Sequence, residues 1–115
     1  KINFNNLPKA FSGLKIVQIS DLHLGSFVKD YEDVKVGIDM INAQKPDYIF
    51  FTGDMVNSHC KEAEPWIELF ASLKAKHGKY SIFGNHDYAD YGPFTKEEKY
   101  VFKKNEVLGG KKFFG

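Results

Sequence analysis

Three short apolar runs punctuate the chain, and each breaks abruptly into polar residues. Residues 14–20 are nearly continuous in apolar side chains and break at Asp21-Leu22-His23. Residues 47–52 carry Tyr48-Ile49-Phe50-Phe51 and break at Gly53-Asp54. Residues 79–83 carry Tyr80-Ser81-Ile82-Phe83 and break at Gly84-Asn85-His86-Asp87. Runs of this length without alternation predict strands covered on both faces. Between them the period changes. Tyr31, Val34, Ile38 and Ile41 recur at helical spacing behind an N-cap candidate, Asp30, and Lys45-Pro46 closes that helix. Gly37 in its interior costs about 1 kcal/mol against alanine, which predicts a neighbour pressed close there. A second helix follows, with Pro65 in its first turn, Trp66, Leu69, Phe70 and Leu73 as its apolar stripe and Gly78 as its C-cap. His77 then falls in the last turn, where it complements the helix dipole.

The ends of the chain are plainer. Residues 1–13 read as a lead-in, with Leu7 and Phe11 packing on the domain. Past the Gly84 turn comes an aromatic loop over residues 88–94. Thr95 and Glu98 then match a capping box for a helix reaching about residue 105, and Phe113-Phe114 suits a fourth strand.

Strand–helix alternation predicts an α/β fold: a βαβαβ parallel sheet with flanking helices, in one domain over residues 1–115. Ligands of such sheets bind beyond the carboxyl ends of the strands. Asp21, His23, Asp54, Asn85, His86 and Asp87 all follow strand ends, so folding is expected to gather them into one cluster.

Composition narrows the classes. Eleven Phe, six Tyr and one Trp in 115 residues supply a core. A net charge of +1 gives no bulk field for nucleic acid or membrane. The lysines among residues 96–112 read as a solvated face. Cys60 is the lone cysteine, so neither an internal disulfide nor a thiolate zinc site is available. There is no run of eighteen apolar residues and no signal-peptide pattern. The chain starts at Lys1 and is read as a processed or excised piece, so a targeting or membrane segment upstream stays open.

The polar breaks carry the chemistry. Hard oxygen donors (Asp21, Asp54, Asn85) mixed with an imidazole (His23) suit Mn²⁺, Fe²⁺ or Zn²⁺ better than Ca²⁺ or a structural zinc. One carboxylate can bridge two such cations, and a cation pair about 3.5–4 Å apart clamps a phosphoryl group. A turn that merely reversed the chain after Ile82-Phe83 would need Gly and Asn, not His and Asp as well.

Taken together, Asp21-x-His23, Gly53-Asp54 and Gly84-Asn85-His86-Asp87 resemble the first three blocks of the calcineurin-like metallophosphoesterases. The stretch Gly13-Leu14-Lys15-Ile16-Val17-Gln18-Ile19-Ser20-Asp21-Leu22-His23-Leu24-Gly25 is similar to bacterial members that often sit on membrane anchors, some acting on lipid or nucleotide-sugar phosphodiesters. The resemblance covers roughly residues 13–110. It implies a phosphomonoester or phosphodiester hydrolase with two divalent metal ions (Mn, Fe or Zn), in which a hydroxide held between the metals attacks phosphorus. Asp21 and His23 would bind one metal, Asp54 would bridge both and Asn85 would bind the second. His86 would contact the phosphate, and Asp87 would orient and polarise His86. The family supplies more histidines from later loops, and nothing after Asp87 is histidine. By the resemblance this is the N-terminal half of a four-layer sandwich. It is expected to be slow or inactive alone, with one sheet face bare unless a dimer covers it.

Several residues have plainer readings. Asn57 is expected to be structural, His59 a loop histidine, and the Trp66 stripe core. Tyr88 and Tyr91 suit a substrate pocket or surface packing equally. Ser20 and Ser81 lack a base in any recognisable nucleophile arrangement. The alternative to an enzyme is a metal- or partner-binding module on the same fold. A nuclease relative is weaker still, given the net charge.

Overall fold

The computed structural model describes residues 4–27 and 30–88. Its regular elements alternate as expected: β1 (Ile16–Ile19), α1 (Tyr31–Ala43), β2 (Tyr48–Phe51), α2 (Ile67–Ala71) and β3 (Gly78–Ser81). The strands form one parallel sheet in the order β1-β2-β3. Register places Ile19 beside Phe51 and Phe51 beside Ser81, so all three strands end at one level. The three polar breaks therefore leave the sheet along a single edge. The expected helix over residues 95–105, Tyr91 and the Phe113-Phe114 strand lie outside the described residues.

Strands laid down in sequential order, with crossovers of one hand, put both helices on the same face. The core lies there. Ile49 of β2 packs with Ile38 of α1 and with Leu69 and Phe70 of α2, and Trp66, Leu73, Leu24 and Val56 join the cluster. The expectation of strands covered on both faces is not met among the described residues. Ile16, Phe50 and Tyr80 are 50%, 37% and 56% exposed on the opposite face. There Phe50 and Tyr80 pack ring against ring with Tyr48, at centroid separations of 6.0–6.2 Å. None of the described helices is long and apolar enough to cross a membrane.

Local details depart from expectation in several places. Among the described residues nothing lies within 4 Å of a Cβ built on Gly37, so none of them explains that glycine. Asp30 occupies the N-cap position of α1 as expected, though it makes no side-chain capping bond. The second helix stops at Ala71 rather than running to Gly78. The reason is Asn42 of α1, whose amide donates to the Ser72 carbonyl (3.1 Å) and accepts the Lys74 N–H (2.8 Å), capturing backbone that the helix would need. His77 is therefore not in a helix. It enters β3 with its N–H on the Asp47 carbonyl (2.8 Å) and its ring 5.4 Å from that of Tyr48. Gly78 opens the strand at φ 154° instead of capping a helix.

Candidate metal centre

The loop after β1 continues the sheet's hydrogen bonding beyond the strand. Asp21 donates its N–H to the Gly53 carbonyl (3.0 Å), His23 to Asp54 (3.0 Å) and Leu24 to Met55 (2.9 Å). Leu24 is fully buried and Leu22 packs on the core, so the apolar positions 22 and 24 anchor a loop whose polar positions are 21 and 23. Asp21 and His23 both hold left-handed backbone, with φ 55° and 44°. Asp54 does the same at φ 58°. Non-glycine residues in this region are uncommon and cost about 1–3 kcal/mol each, and they concentrate at functional sites.

The strain is held by close loop packing. Gly53, at φ 105°, lies so near the third loop that a Cβ on it would come within 2.1 Å of the Gly84 nitrogen. A Cβ on Gly84 would in turn meet the Asp54 carboxylate at 2.3 Å. Glycine is required at both positions because two backbones pass with no room for a side chain. The Asp54 carboxylate accepts the His86 N–H at 2.8 Å, which ties the second and third loops together.

The result is a cluster. One donor atom from each of Asp21, His23 and Asp54 lies within 4.8 Å of the others. Donors on one cation at about 2.1 Å can be no more than about 4.2 Å apart, so a contraction of under an ångström closes the set on an ion. Two carboxylates and an imidazole fit a divalent transition ion by donor type. The Ser20 hydroxyl donates to the Asp21 carboxylate. The His23 and His86 rings meet edge to face at 4.7 Å, which brings His86 to the same cluster. Asn85 is exposed, between Gly84 and His86, the two neighbours that touch Asp54.

Asp87 is not where the sequence expectation put it. It is 4% exposed, and its carboxylate faces backbone rather than the His86 ring. Oδ2 accepts the N–H groups of Asp54 (2.8 Å) and Gly84 (2.9 Å), and Oδ1 accepts those of Met55 (2.8 Å) and Val56 (3.4 Å). A short carboxylate three residues past Gly84 reaches into the second loop and satisfies three donors there, besides the Gly84 N–H of its own turn. His86 takes its orientation from another group: its Nδ1 lies 2.7 Å from the Asn57 carbonyl oxygen. A carbonyl only accepts, so Nδ1 carries the hydrogen and any proton exchanged with a ligand passes through Nε2.

Sequence reasoning missed Glu62, which accepts the N–H groups of Asn57, Ser58 and His59. The signal was present: His59-x-x-Glu62 has capping-box spacing, and the structure forms that box with histidine in the cap position. His59 is thus a cap in a loop, and Asn57 acts through its backbone carbonyl, for which no side-chain signal exists.

Comparison with known proteins agrees with this arrangement. The family model described as calcineurin-like phosphoesterase matches residues 14–114. The uncharacterized metallophosphoesterase YkuE of Bacillus subtilis is 43% identical over 106 residues, covering 90% of this chain and 35% of that protein. UDP-2,3-diacylglucosamine pyrophosphatase LpxG of Chlamydia trachomatis is 43% identical over 90 residues, 75% of this chain and 27% of its own length. A Danio rerio transmembrane protein with metallophosphoesterase domain is 32% identical over 88 residues, 76% and 20% respectively. The chain spans about a third or less of these relatives. With three sequence blocks matched and their residues drawn to one sheet edge, the chain belongs to the calcineurin-like phosphoesterase family.

Proposed function

We propose that the residues gathered at the carboxyl edge of the sheet hold two divalent cations, and that the full-length protein uses them to hydrolyse a phosphomonoester or phosphodiester. The observation that carries this reading is the convergence of Asp21, His23 and Asp54, all on left-handed backbone, with donor atoms within 4.8 Å. Asp21 and His23 would hold one cation and Asn85 the second, with Asp54 shared between the two; Mn, Fe and Zn all suit these donors. Such cations neutralise phosphate oxygens and activate water. His86, oriented through Nδ1 by Asn57, meets the phosphate or the leaving oxygen through Nε2. Asp87 holds the Asp54 loop in shape. The likeness to a protein named as a nucleotide-sugar pyrophosphatase puts phosphoanhydrides beside phosphoesters among the substrates to test. The name of the Danio rerio relative supports membrane association of the full-length protein.

The test is metal analysis of the purified full-length protein, paired with Asp54→Ala and an aryl phosphodiester assay. Two ions per chain in the wild type, with loss of both metal and turnover in the variant, is the expected result. Turnover that survives Asp54→Ala overturns the assignment of that carboxylate.

A further inference from the structure

We infer that Glu62 is a positioning residue for His86, an inference that builds on the hydrolase reading but is tested separately from it. Glu62 lies in a short 3-10 turn (Cys60–Glu62) outside all three sequence blocks. Its carboxylate accepts three consecutive backbone N–H groups: Asn57 at 2.6 Å through Oε2, and Ser58 at 3.2 Å and His59 at 3.1 Å through Oε1. Residues 57–59 have no regular structure, so these bonds set the course of the segment. Asn57 is held from a second side. Its amide donates to the Ser26 hydroxyl at 3.1 Å, in the loop that follows His23. The Asn57 carbonyl shares its peptide plane with the Ser58 N–H that Glu62 holds, so it is presented in one direction, and it meets His86 Nδ1 at 2.7 Å.

The chain of contacts is therefore Glu62 carboxylate, Asn57–Ser58 peptide, His86 imidazole. Gly25 completes it. A Cβ on Gly25 would sit 2.4 Å from Glu62 Oε2 and 3.0 Å from the Asn57 amide nitrogen, so the carboxylate lies flat against bare backbone of the first loop. One acidic side chain thus ties the loop after β1, the loop after β2 and the His86 ring into a single geometry. The consequence for the ring is specific. While the Asn57 carbonyl stays in place, imidazole is held as the Nδ1–H tautomer in one orientation. Once the segment relaxes, the ring samples both tautomers. Outer groups that orient a metal-bound imidazole typically carry about ten- to hundred-fold in activity, and the same scale is expected for an imidazole that must meet a phosphate.

The experiment uses full-length protein with ¹⁵N-labelled histidine, compared as wild type, Glu62→Ala, Glu62→Gln and Gly25→Ala. Glu64→Ala, an exposed acid of the same stretch, is the control. The first measurement is the long-range ¹H–¹⁵N spectrum of the His86 ring at alkaline pH, where imidazole is neutral. The wild type and Glu64→Ala are expected to show one tautomer, protonated at Nδ1. Glu62→Ala is expected to show averaged shifts, and Glu62→Gln, which keeps one acceptor for the Asn57 N–H, a smaller change. Gly25→Ala displaces the carboxylate without removing it and should move the spectrum as Glu62→Ala does. It therefore decides the question even if Glu62→Ala fails to fold. The second measurement is turnover of bis(4-nitrophenyl) phosphate: kcat falls about ten- to hundred-fold in Glu62→Ala, with KM and metal content within two-fold of wild type. An unchanged His86 spectrum in the folded Glu62 and Gly25 variants overturns the inference, as does a loss confined to KM or metal content. A wild-type protein that hydrolyses no phosphoester would sink the hydrolase reading and leave the spectrum to judge Glu62.

Discussion

Asp87→Asn separates two roles for the buried carboxylate. In the structure Oδ2 serves Asp54 and Gly84, while Oδ1 serves Met55 and Val56. Asparagine keeps one oxygen and replaces the other with an NH₂ group that cannot accept. The favourable rotamer keeps the Asp54 and Gly84 bonds, at 2.8 and 2.9 Å, and turns the NH₂ toward Met55 and Val56. One short charge-assisted bond and one long one are lost, and donors face donors at a buried position. With about 1.5–3 kcal/mol for a bond to a charged group and a further penalty for unsatisfied donors, the cost is roughly 2–4 kcal/mol. That is survivable against a total stability of about 5–15 kcal/mol. At about 2 kcal/mol per molar urea, the unfolding midpoint drops by about 1–2 M with the slope unchanged. The assay is urea unfolding of metal-free protein, followed by far-ultraviolet circular dichroism. Metal affinity should fall as well, because the loop that carries Asp54 loses its anchor at the neighbouring Met55 and Val56 N–H groups. Had Asp87 served the His86 ring directly, the substitution would lower turnover and leave the midpoint and the metal affinity in place. That outcome would refute the reasoning.

Two further predictions concern parts of the fold away from the site. Gly37→Ala adds a methyl group into open space within α1 and should raise stability by about 0.5–1 kcal/mol in the same urea assay, without affecting metal binding. Phe50→Ser with Tyr80→Ser removes two aromatic rings from the bare sheet face, and should lower the self-association of the isolated 115-residue chain in sedimentation velocity.

How far the sequence spoke depended on the kind of signal. Apolar runs ending in polar residues located all three strands to within two or three residues, and the parallel order followed from alternation. The cluster of Asp21, His23 and Asp54 was legible because each follows a strand end and parallel register levels those ends. The short second helix was not legible, since what stops it is Asn42, thirty residues away at Ser72. That one face stays exposed was implied by the resemblance, while strand composition by itself pointed to two covered faces. Ile16, Phe50 and Tyr80 are as apolar as their buried neighbours, and composition alone does not tell a covered face from an uncovered one. Asp87 was misplaced for a related reason. Adjacency to His86 suggested a pair, whereas the partners with the greatest need of an acceptor were backbone N–H groups of a loop more than thirty residues upstream.

A site built for cations should be a poor site without them, and Asp21→Asn measures that directly. Asparagine tolerates left-handed backbone as aspartate does, so φ 55° adds no new strain. It also keeps an oxygen for the Ser20 hydroxyl. What changes is charge. Asp21 and Asp54 offer donor oxygens no more than 4.8 Å apart, and Asp21 is exposed. At the dielectric of water two such charges repel by about 1 kcal/mol. Metal-free Asp21→Asn should therefore be as stable as the wild type or more so, by up to about 1 kcal/mol. With a divalent cation present the order inverts. A ligand at a hundred times its Kd adds about 2.7 kcal/mol to the protein that binds it, and the variant forgoes most of that. Unfolding of both proteins with and without Mn²⁺ or Zn²⁺ reads the crossing directly. If Asp21 were only a turn residue, the two proteins would keep the same order in both conditions, because a cation would have nothing there to hold.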